Sequence, residues 1–349
     1  MLNKWQSKTV LALLMILVLV TVAVGCTTDT GEQTEEIQQE VADDSSMEAE
    51  EKPKLKIATL KGPTGMGMVD LMEKSETNES TIDYEFTVLG SPDDLVGKVI
   101  SGEVDVAAVP TNLALVLHNK TEGAVQLAAV NTLGVLYVVE NGDTINSVED
   151  LRCKTLYTSG KGSAPDFVIQ YILNENGLVV GKDVMLEYKL QHAELAAALA
   201  AGDVDIALLP QPHVTTAMMK NTDLKIALDI TKEWNEVTPE DSKLPMGAII
   251  VQKAFVEENK EAFNGFLDEY KSSVAFVNSN IDKASELIEK HGILPKAAIA
   301  KKAIPYSNIV FIEGDEAKSY LEDFYQVLFN FEPKSVGGKL PNEGFYYKR

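Results

Sequence analysis

The chain has 349 residues, with 53 Asp and Glu against 31 Lys and Arg and a net charge of −22. That balance excludes nucleic acid as a partner, because phosphate binding needs clustered basic residues and no basic stripe is present. Arginine occurs only at Arg152 and Arg349, so an arginine clamp on phosphate or carboxylate is not expected either.

At the N-terminus, Lys4 and Lys8 precede an almost wholly apolar run from Val10 to Val24, followed by Gly25 and Cys26. A positive start, a short apolar core and a small residue before the cut mark a secretory signal. The run is short for a bilayer span, which takes about 20 residues. The segment Ala23-Val24-Gly25-Cys26 is similar to a bacterial lipoprotein cleavage box, with Ala23 where such boxes usually carry Leu. The resemblance implies a signal peptide over 1–25 and lipidation of Cys26, for example by palmitate. A plain N-terminal anchor helix would export the rest of the chain equally well. Removing Lys4 and Lys8 from a net −22 leaves −24. Cys153 would then be the one remaining thiol, so neither an internal disulfide nor a cysteine-based metal site is expected. Residues 27–52 are rich in Thr, Glu, Gln, Asp and Ser and contain no aromatic residue. Such a segment buries too little apolar surface to offset its ordering entropy, so 26–53 reads as a lipidated cysteine and a disordered acidic tether.

The roughly 300 residues that follow are too many for one simple core and imply two lobes. An internal repeat shows them. Residues 95–110 (LVGKVISGEVDVAAVP) and 195–210 (LAAALAAGDVDIALLP) align without a gap at an offset of 100. Each copy reads as an amphipathic helix closed by Gly102 or Gly202, a Val-Asp turn and a short apolar strand. Upstream, the first copy has strands at 54–60 and 83–89 around a Gly-rich loop at 61–67 and a helix from about Met66. The second copy has strands at 154–158 and 184–190 around a loop at 159–165 and a helix running through Tyr171 to Gly177. Each lobe is therefore expected to be α/β, a mostly parallel sheet flanked by helices. A buried-strand pattern resumes in 244–256, and helices are expected near Lys260–Asn278, Ile281–His291 and Glu316–Phe331. The expected course is lobe 1 from 54–140 plus 245–349 and lobe 2 from 141–244. The chain would cross near Tyr137–Thr144 and return near Leu244, leaving a hinge and a cleft.

In such folds ligands bind beyond the carboxyl ends of the strands, near helix N-termini. Four segments qualify. Lobe 1 offers Gly62, Pro63, Thr64, Gly65 and Met66, beside Lys61, and then Thr111 with Asn112. Lobe 2 offers Ser159, Gly160, Lys161, Gly162 and Ser163, and then Gln211 with His213. Thr64, Thr111 and Ser163 are candidate helix caps, and Ser163 with Asp166 has capping-box spacing. Met246, with Met66 and Met68, is a candidate apolar wall, core filling being the preferred reading for Met68. Tyr137 and Trp234 are candidate stacking surfaces, and Trp234, placed in a polar loop over 231–243, has the alternative role of pinning that loop to its lobe. His118, His192, His213 and His291 show no metal-ligand spacing, and only His213 falls in an expected cleft loop. Asp105 and Asp205 read as turn residues at the strand ends away from the cleft. No catalytic motif, cofactor signature or metal set is found, so no enzyme activity is expected.

The segments SGEVDVAAVPTN, EDLRCKTLYTSGKGSAPDFVIQYILNENGL, AGDVDIALLPQP and LPMGAIIVQKAFVEEN resemble solute-binding proteins for nitrate, sulfonates, taurine and thiamine-pyrimidine precursors. The resemblance covers roughly 54–290. It implies the two-lobed type II periplasmic-binding fold, capture of a small organic or anionic solute by hinge closure, and delivery to an ABC permease with its ATPase. It places the cleft on Gly62–Gly67, Thr111–Asn112, Ser159–Ser163 and Gln211–His213. A monomer is expected, held on the outer face of the cell membrane by its lipid. Two other functions remain open at this point: an enzyme on the same fold, like those of menaquinone or pyrimidine synthesis, and a ligand-sensing lipoprotein.

Overall fold

The computed structural model describes residues 52–240 and 242–349. The expected signal peptide, lipidated Cys26 and nearly all of the tether lie outside the described residues. None of the described helices is long and apolar enough to cross a membrane.

The chain first lays down β1 (Lys54–Leu60), α1 (Pro63–Met66), α2 (Val69–Glu76), β2 (Asp83–Leu89), α3 (Pro92–Ile100), β3 (Val106–Pro110), α4 (Thr111–Lys120) and β4 (Val125–Thr132). It crosses to β5 (Leu136–Glu140), β6 (Thr155–Tyr157), α5 (Ala164–Glu175), β7 (Met185–Glu187), α6 (His192–Ala201), β8 (Ile206–Pro210), α7 (His213–Lys220), β9 (Lys225–Asp229) and α8 (Ile230–Val237). It returns through β10 (Gly247–Gln252), α9 (Lys253–Ser279), α10 (Ile281–Lys290), α11 (Ala297–Ala303), β11 (Ile309–Glu313) and α12 (Gly314–Phe331). The first sheet has the order β11-β4-β10-β3-β1-β2 and the second β7-β6-β8-β5-β9.

The repeat in the sequence is a repeat in space: α3 leads into β3 as α6 leads into β8. Local signals set both copies. Ser91 Oγ accepts from Asp93 N at 3.2 Å, with Pro92 at the first turn, Asp93 and Asp94 after it and Lys98 in the last turn of α3. Both helices end on glycines at positive φ, 69° at Gly102 and 81° at Gly202. The strands that follow are continuous apolar runs because helices cover both faces of each sheet.

Three expectations are corrected. The sheets are mixed rather than mostly parallel. Strand β1 runs parallel to β2 and β3, and β6 to β7 and β8, but β10 and β5 run antiparallel to every neighbour. These two strands arrive from the opposite lobe, so they enter their sheets from the cleft end. For the same reason the first crossing is not at Tyr137–Thr144. Leu136–Glu140 already pairs with β8, so the chain crosses between Thr132 and Leu136, and 136–140 belongs to the second lobe. Finally, Trp234 lies in α8, fully buried, rather than in a loop. Its ring sits 5.4 Å from Tyr171 on α5 and 5.8 Å from Phe324 on α12. It therefore pins second-lobe helices to α12, and is not available to stack on a ligand.

The joint between the lobes is apolar. One continuous cluster runs from Leu95 and Val99 of α3, through Phe324 and Leu328 of α12, to Trp234, Ile169 and Leu156 of the second lobe. Helix α12 packs on β4 and β11 of one sheet and on α5 beside the other. Among the elements absent from the sequence reading, which include β4, β5 and β9, α11 and β11 lie on the first lobe. The C-terminal residues close this lobe too: Arg349 pairs with Glu313 at 2.9 Å and Asp268 at 2.7 Å.

Gly134 occupies the crossing itself. A Cβ there would stand 1.9 Å from Thr231 Oγ1 and 3.0 Å from Thr231 Cβ, which real contacts do not tolerate. Gly134→Ala is expected to cost about 1–3 kcal/mol in urea unfolding, and Thr231→Ala in the same chain to recover part of that loss.

Candidate functional site

A cavity of about 230 Å³ lies between the lobes. The first lobe lines it with Leu60 and Lys61 after β1, Pro63 and Thr64 of α1, Gly90 and Pro92 before and in α3, Pro110, and Thr132. The second lobe supplies Ser163, Ala164 and Pro165 at the start of α5, His192 at the start of α6, and Pro210, Gln211, Pro212 and His213 between β8 and α7. Val135, Leu136 and Met246, from the two chain crossings, complete the wall. Carboxyl ends of strands and first turns of helices thus converge from both lobes, as the sequence led one to expect.

Six of the lining residues are prolines: Pro63, Pro92, Pro110, Pro165, Pro210 and Pro212. Proline suits a first helical turn, where its missing N–H costs nothing. The consequence for the site is a rigid wall of apolar rings with fewer backbone donors than a helix terminus normally presents. The polar side chains are Lys61, Thr64, Thr132, Ser163, His192, Gln211 and His213. Among the described residues no carboxylate and no guanidinium lines the cavity. Gln211 Oε1 accepts from Thr215 N at 3.3 Å and Thr215 Oγ1 at 2.8 Å, which leaves its Nε2 as the group free to donate.

The two histidines form a unit. Their rings stack with centroids 5.5 Å apart and an interplanar angle of 28°. Ser159 Oγ makes a short hydrogen bond with His192 Nδ1 from behind the wall. Burial holds the pKa of His192 below the usual imidazole value. Burial, and secondarily the neighbouring His192, pushes His213 down to about 4. At neutral pH the pair is uncharged, and among the described residues Lys61 is the one lysine or arginine on the wall.

Of the residues singled out in the sequence, Pro63, Thr64, Ser163, Gln211, His213 and Met246 line the cavity. Two others stand directly behind it. Ser159 supports His192, and Thr111 N donates to the carbonyl of Met246 at 3.2 Å. Gly62, Gly65, Gly160, Lys161 and Gly162 shape the loops without lining it. Lys161 lies over the Tyr188 ring at 5.4 Å. Met66 and Met68 are core residues with no exposed surface. Asn112 donates to Ser335 O at 3.2 Å. Tyr137 is buried, its hydroxyl donating to Tyr306 O at 3.3 Å, so it is not a stacking surface for the cavity.

The expected caps are also corrected. Pro110, not Thr111, stands at the α4 boundary, and Thr64 Oγ1 donates back to Leu60 O at 3.5 Å. Ser163 sits at the N-cap of α5, but its hydroxyl turns to the Gly160 carbonyl, and Asp166 Oδ2 accepts from Gly162 N at 2.7 Å instead. The loop is tightened by one residue relative to a capping box, because Gly160 and Gly162 both take positive φ. His192 is the principal residue missed. Its place at the start of α6 gives no signal until the fold brings it beside His213.

Elsewhere, Glu73, Glu76 and His291 bring donor atoms within 4.8 Å of one another, although their spacing in the sequence gave no sign of it. The Lys290 ammonium already pairs with both carboxylates, 2.9 Å from Glu76, and its hydrogen bond holds Glu73 below the usual carboxylate range. The cluster is an ion-pair network that ties α10 to the end of α2.

The depressed pKa of His213 has a stability consequence with a definite sign. A histidine neutral in the fold binds its proton more readily when unfolded. Stability is therefore complete above about pH 6.5 and falls as pH drops toward 4. His213→Gln should remove about 2–3 kcal/mol of that acid loss, measured as urea unfolding at pH 4.5 against pH 7.

Comparison with known proteins finds a family model for the periplasmic substrate-binding proteins of phosphonate ABC transporters, matching residues 70–292. Curated proteins give no match. Among solved structures, an ABC transporter protein from Parabacteroides distasonis is similar at 25% identity, covering 85% of this chain and 100% of that one, with a TM-score of 0.71. The periplasmic aliphatic sulphonate binding protein of Escherichia coli shares the fold at 17% identity, covering 85% of this chain and 93% of that one, with a TM-score of 0.67. The periplasmic nitrate-binding protein of Synechocystis does so at 12% identity, covering 82% and 84%, with a TM-score of 0.59. With two mixed sheets facing a shared cavity and a family match over most of the folded chain, this protein belongs to the periplasmic substrate-binding proteins of ABC importers.

Proposed function

We propose that the chain captures a small organic anion between its lobes and presents it to an ABC permease and ATPase. The observation that carries this is the cavity itself. It is lined from both lobes, holds one lysine, two imidazoles and three hydroxyl groups, and among the described residues has no carboxylate to repel an anion. The proline rings favour an apolar body on the solute, while Lys61, Gln211 Nε2 and the histidines suit a single anionic head. The related proteins named for phosphonate, sulphonate and nitrate point to the same class of head group. A solute touching Thr64 of the first lobe and Ser163 of the second contacts both only when the cleft is shut, so binding closes the hinge.

The chain works as a monomeric binding protein rather than an enzyme. His192 is the one base held against a hydroxyl in the cavity wall, and that hydroxyl, on Ser159, is buried behind it rather than presented to a substrate. The sequence reading of the N-terminus adds export and a lipid anchor on Cys26. Cys26→Ala is expected to release the protein from the membrane fraction.

The capture reading is tested by a thermal-shift panel of alkanesulfonates, alkylphosphonates and nitrate. A true ligand at a hundred times its Kd stabilises by about 2.7 kcal/mol, a rise of several degrees in Tm. Small-angle scattering with the best member of the panel should show compaction. No stabilisation by any member, or an unchanged radius at saturation, would contradict the proposal.

A further inference from the structure

We propose that the stacked His192–His213 pair makes capture proton-linked: one ring takes up a proton as an anionic solute enters, so anions bind more tightly at mildly acidic pH. This rests on the reading of the cavity as an anion-accepting site.

The geometry assigns the pair a role that packing alone does not explain. Both rings begin helices of the second lobe and both reach the cavity wall. They stack at 5.5 Å, closely enough that two charges on them would repel, so the pair accepts one proton and not two. Ser159 engages His192 through Nδ1, which leaves Nε2 as the second polar atom of that ring.

The charges around the pair are few. Lys61 lines the opposite lobe's part of the wall. Glu194 on α6 is turned back onto Gln191 N at 3.2 Å. On α11, which packs against α7, Lys301 is paired with Asp282 at 2.5 Å and Lys302 is exposed. Lys220 lies at the far end of α7. Strand β8 carries no ionisable residue. On β5, Glu140 is engaged with Thr144, and the Tyr137 hydroxyl with Tyr306. Tyr157 on β6 is half-buried beside the same core. Among the described residues no carboxylate pairs with either ring, so the negative charge that would favour a protonated imidazole has to come from the solute.

The sign follows from this. With the cavity empty, burial keeps both rings deprotonated, His213 down to about 4. An anion in contact favours the charged ring and raises that value toward or above 6.5. Between the two values the complex holds one more proton than the free protein, so affinity rises as pH falls. From pH 7.5 to 5.5 the gain is about tenfold for a one-proton linkage whose bound pKa is near 6.5.

The test uses ethanesulfonate and nitrate, whose own charge does not change between pH 5.5 and 7.5. Affinity is read by thermal shift at both pH values for the native protein, for His213→Gln and for the double variant His192→Gln/His213→Gln. Histidine ring spectra of the unmodified protein, with and without ethanesulfonate, give a second reading that no folding defect can disturb. The proposal expects about tenfold tighter binding at pH 5.5, lost in the double variant, and a ring resonance whose titration moves upward with the anion. Equal affinity at both pH values, or a gain that survives in the double variant, overturns the proton linkage while leaving capture intact. Absence of stabilisation by either anion at either pH overturns the linkage together with the anion reading.

Discussion

Everything in this structure depends on how tightly the two chain crossings are held together. The first crossing runs from Thr132 to Leu136 and the return passes through Met246. Met246 N donates to Thr132 O at 2.8 Å, Thr111 N to Met246 O at 3.2 Å, Leu133 N to Asn308 O at 3.0 Å and Gln211 N to Val135 O at 2.9 Å. Backbone hydrogen bonds between segments far apart in sequence make the joint a single station rather than two loose linkers. The cavity opens directly on it, since Thr132, Val135, Leu136 and Met246 are part of the wall. A movement at the joint is therefore a movement of the binding surface.

The chemistry of the cavity follows from what surrounds that joint. Repetition of a βαβ unit brings strand ends and helix starts from both lobes to one place, and those positions select proline, serine and small residues for local reasons. Proline removes donors and stiffens the wall. The polar contribution is left to a few side chains, of which two are imidazoles kept neutral by burial. The protein carries a large net negative charge, yet among the described residues no carboxylate lines the cavity. An anion approaching the cleft meets one lysine and two titratable rings rather than carboxylates.

Much of this was legible in the sequence because it rests on local patterns. The 95–110 and 195–210 repeat showed the duplicated lobe, and the loops after β1, β6 and β8 pointed to Thr64, Ser163, Gln211 and His213, while the loop after β3 pointed to Thr111 and Asn112, which do not line the cavity. What was not legible depended on long-range pairing. Mixed sheets arise because β5 and β10 come from across the joint, which periodicity does not record. Trp234 was placed in a loop because its neighbours in sequence are polar, but α8 turns one narrow face toward α12 and buries it. Tyr137 looked available because it lay next to the expected crossing; one strand's displacement of that crossing put it inside a sheet. His192 was missed because a histidine at the start of an alanine-rich helix carries no signal until His213 is seen beside it. The N-terminal signal and lipid site are readings of sequence chemistry that the folded lobes do not bear on.

Four histidines make one direct measurement possible, since His192 and His213 lie in the cavity while His118 and His291 are packed elsewhere. Ring spectra recorded during titration with an anion that stabilises the protein should move the first two and leave the other two in place. Shifts confined to His118 or His291, or no histidine shift while the protein is demonstrably stabilised, would mean that the solute does not enter the hollow between the lobes.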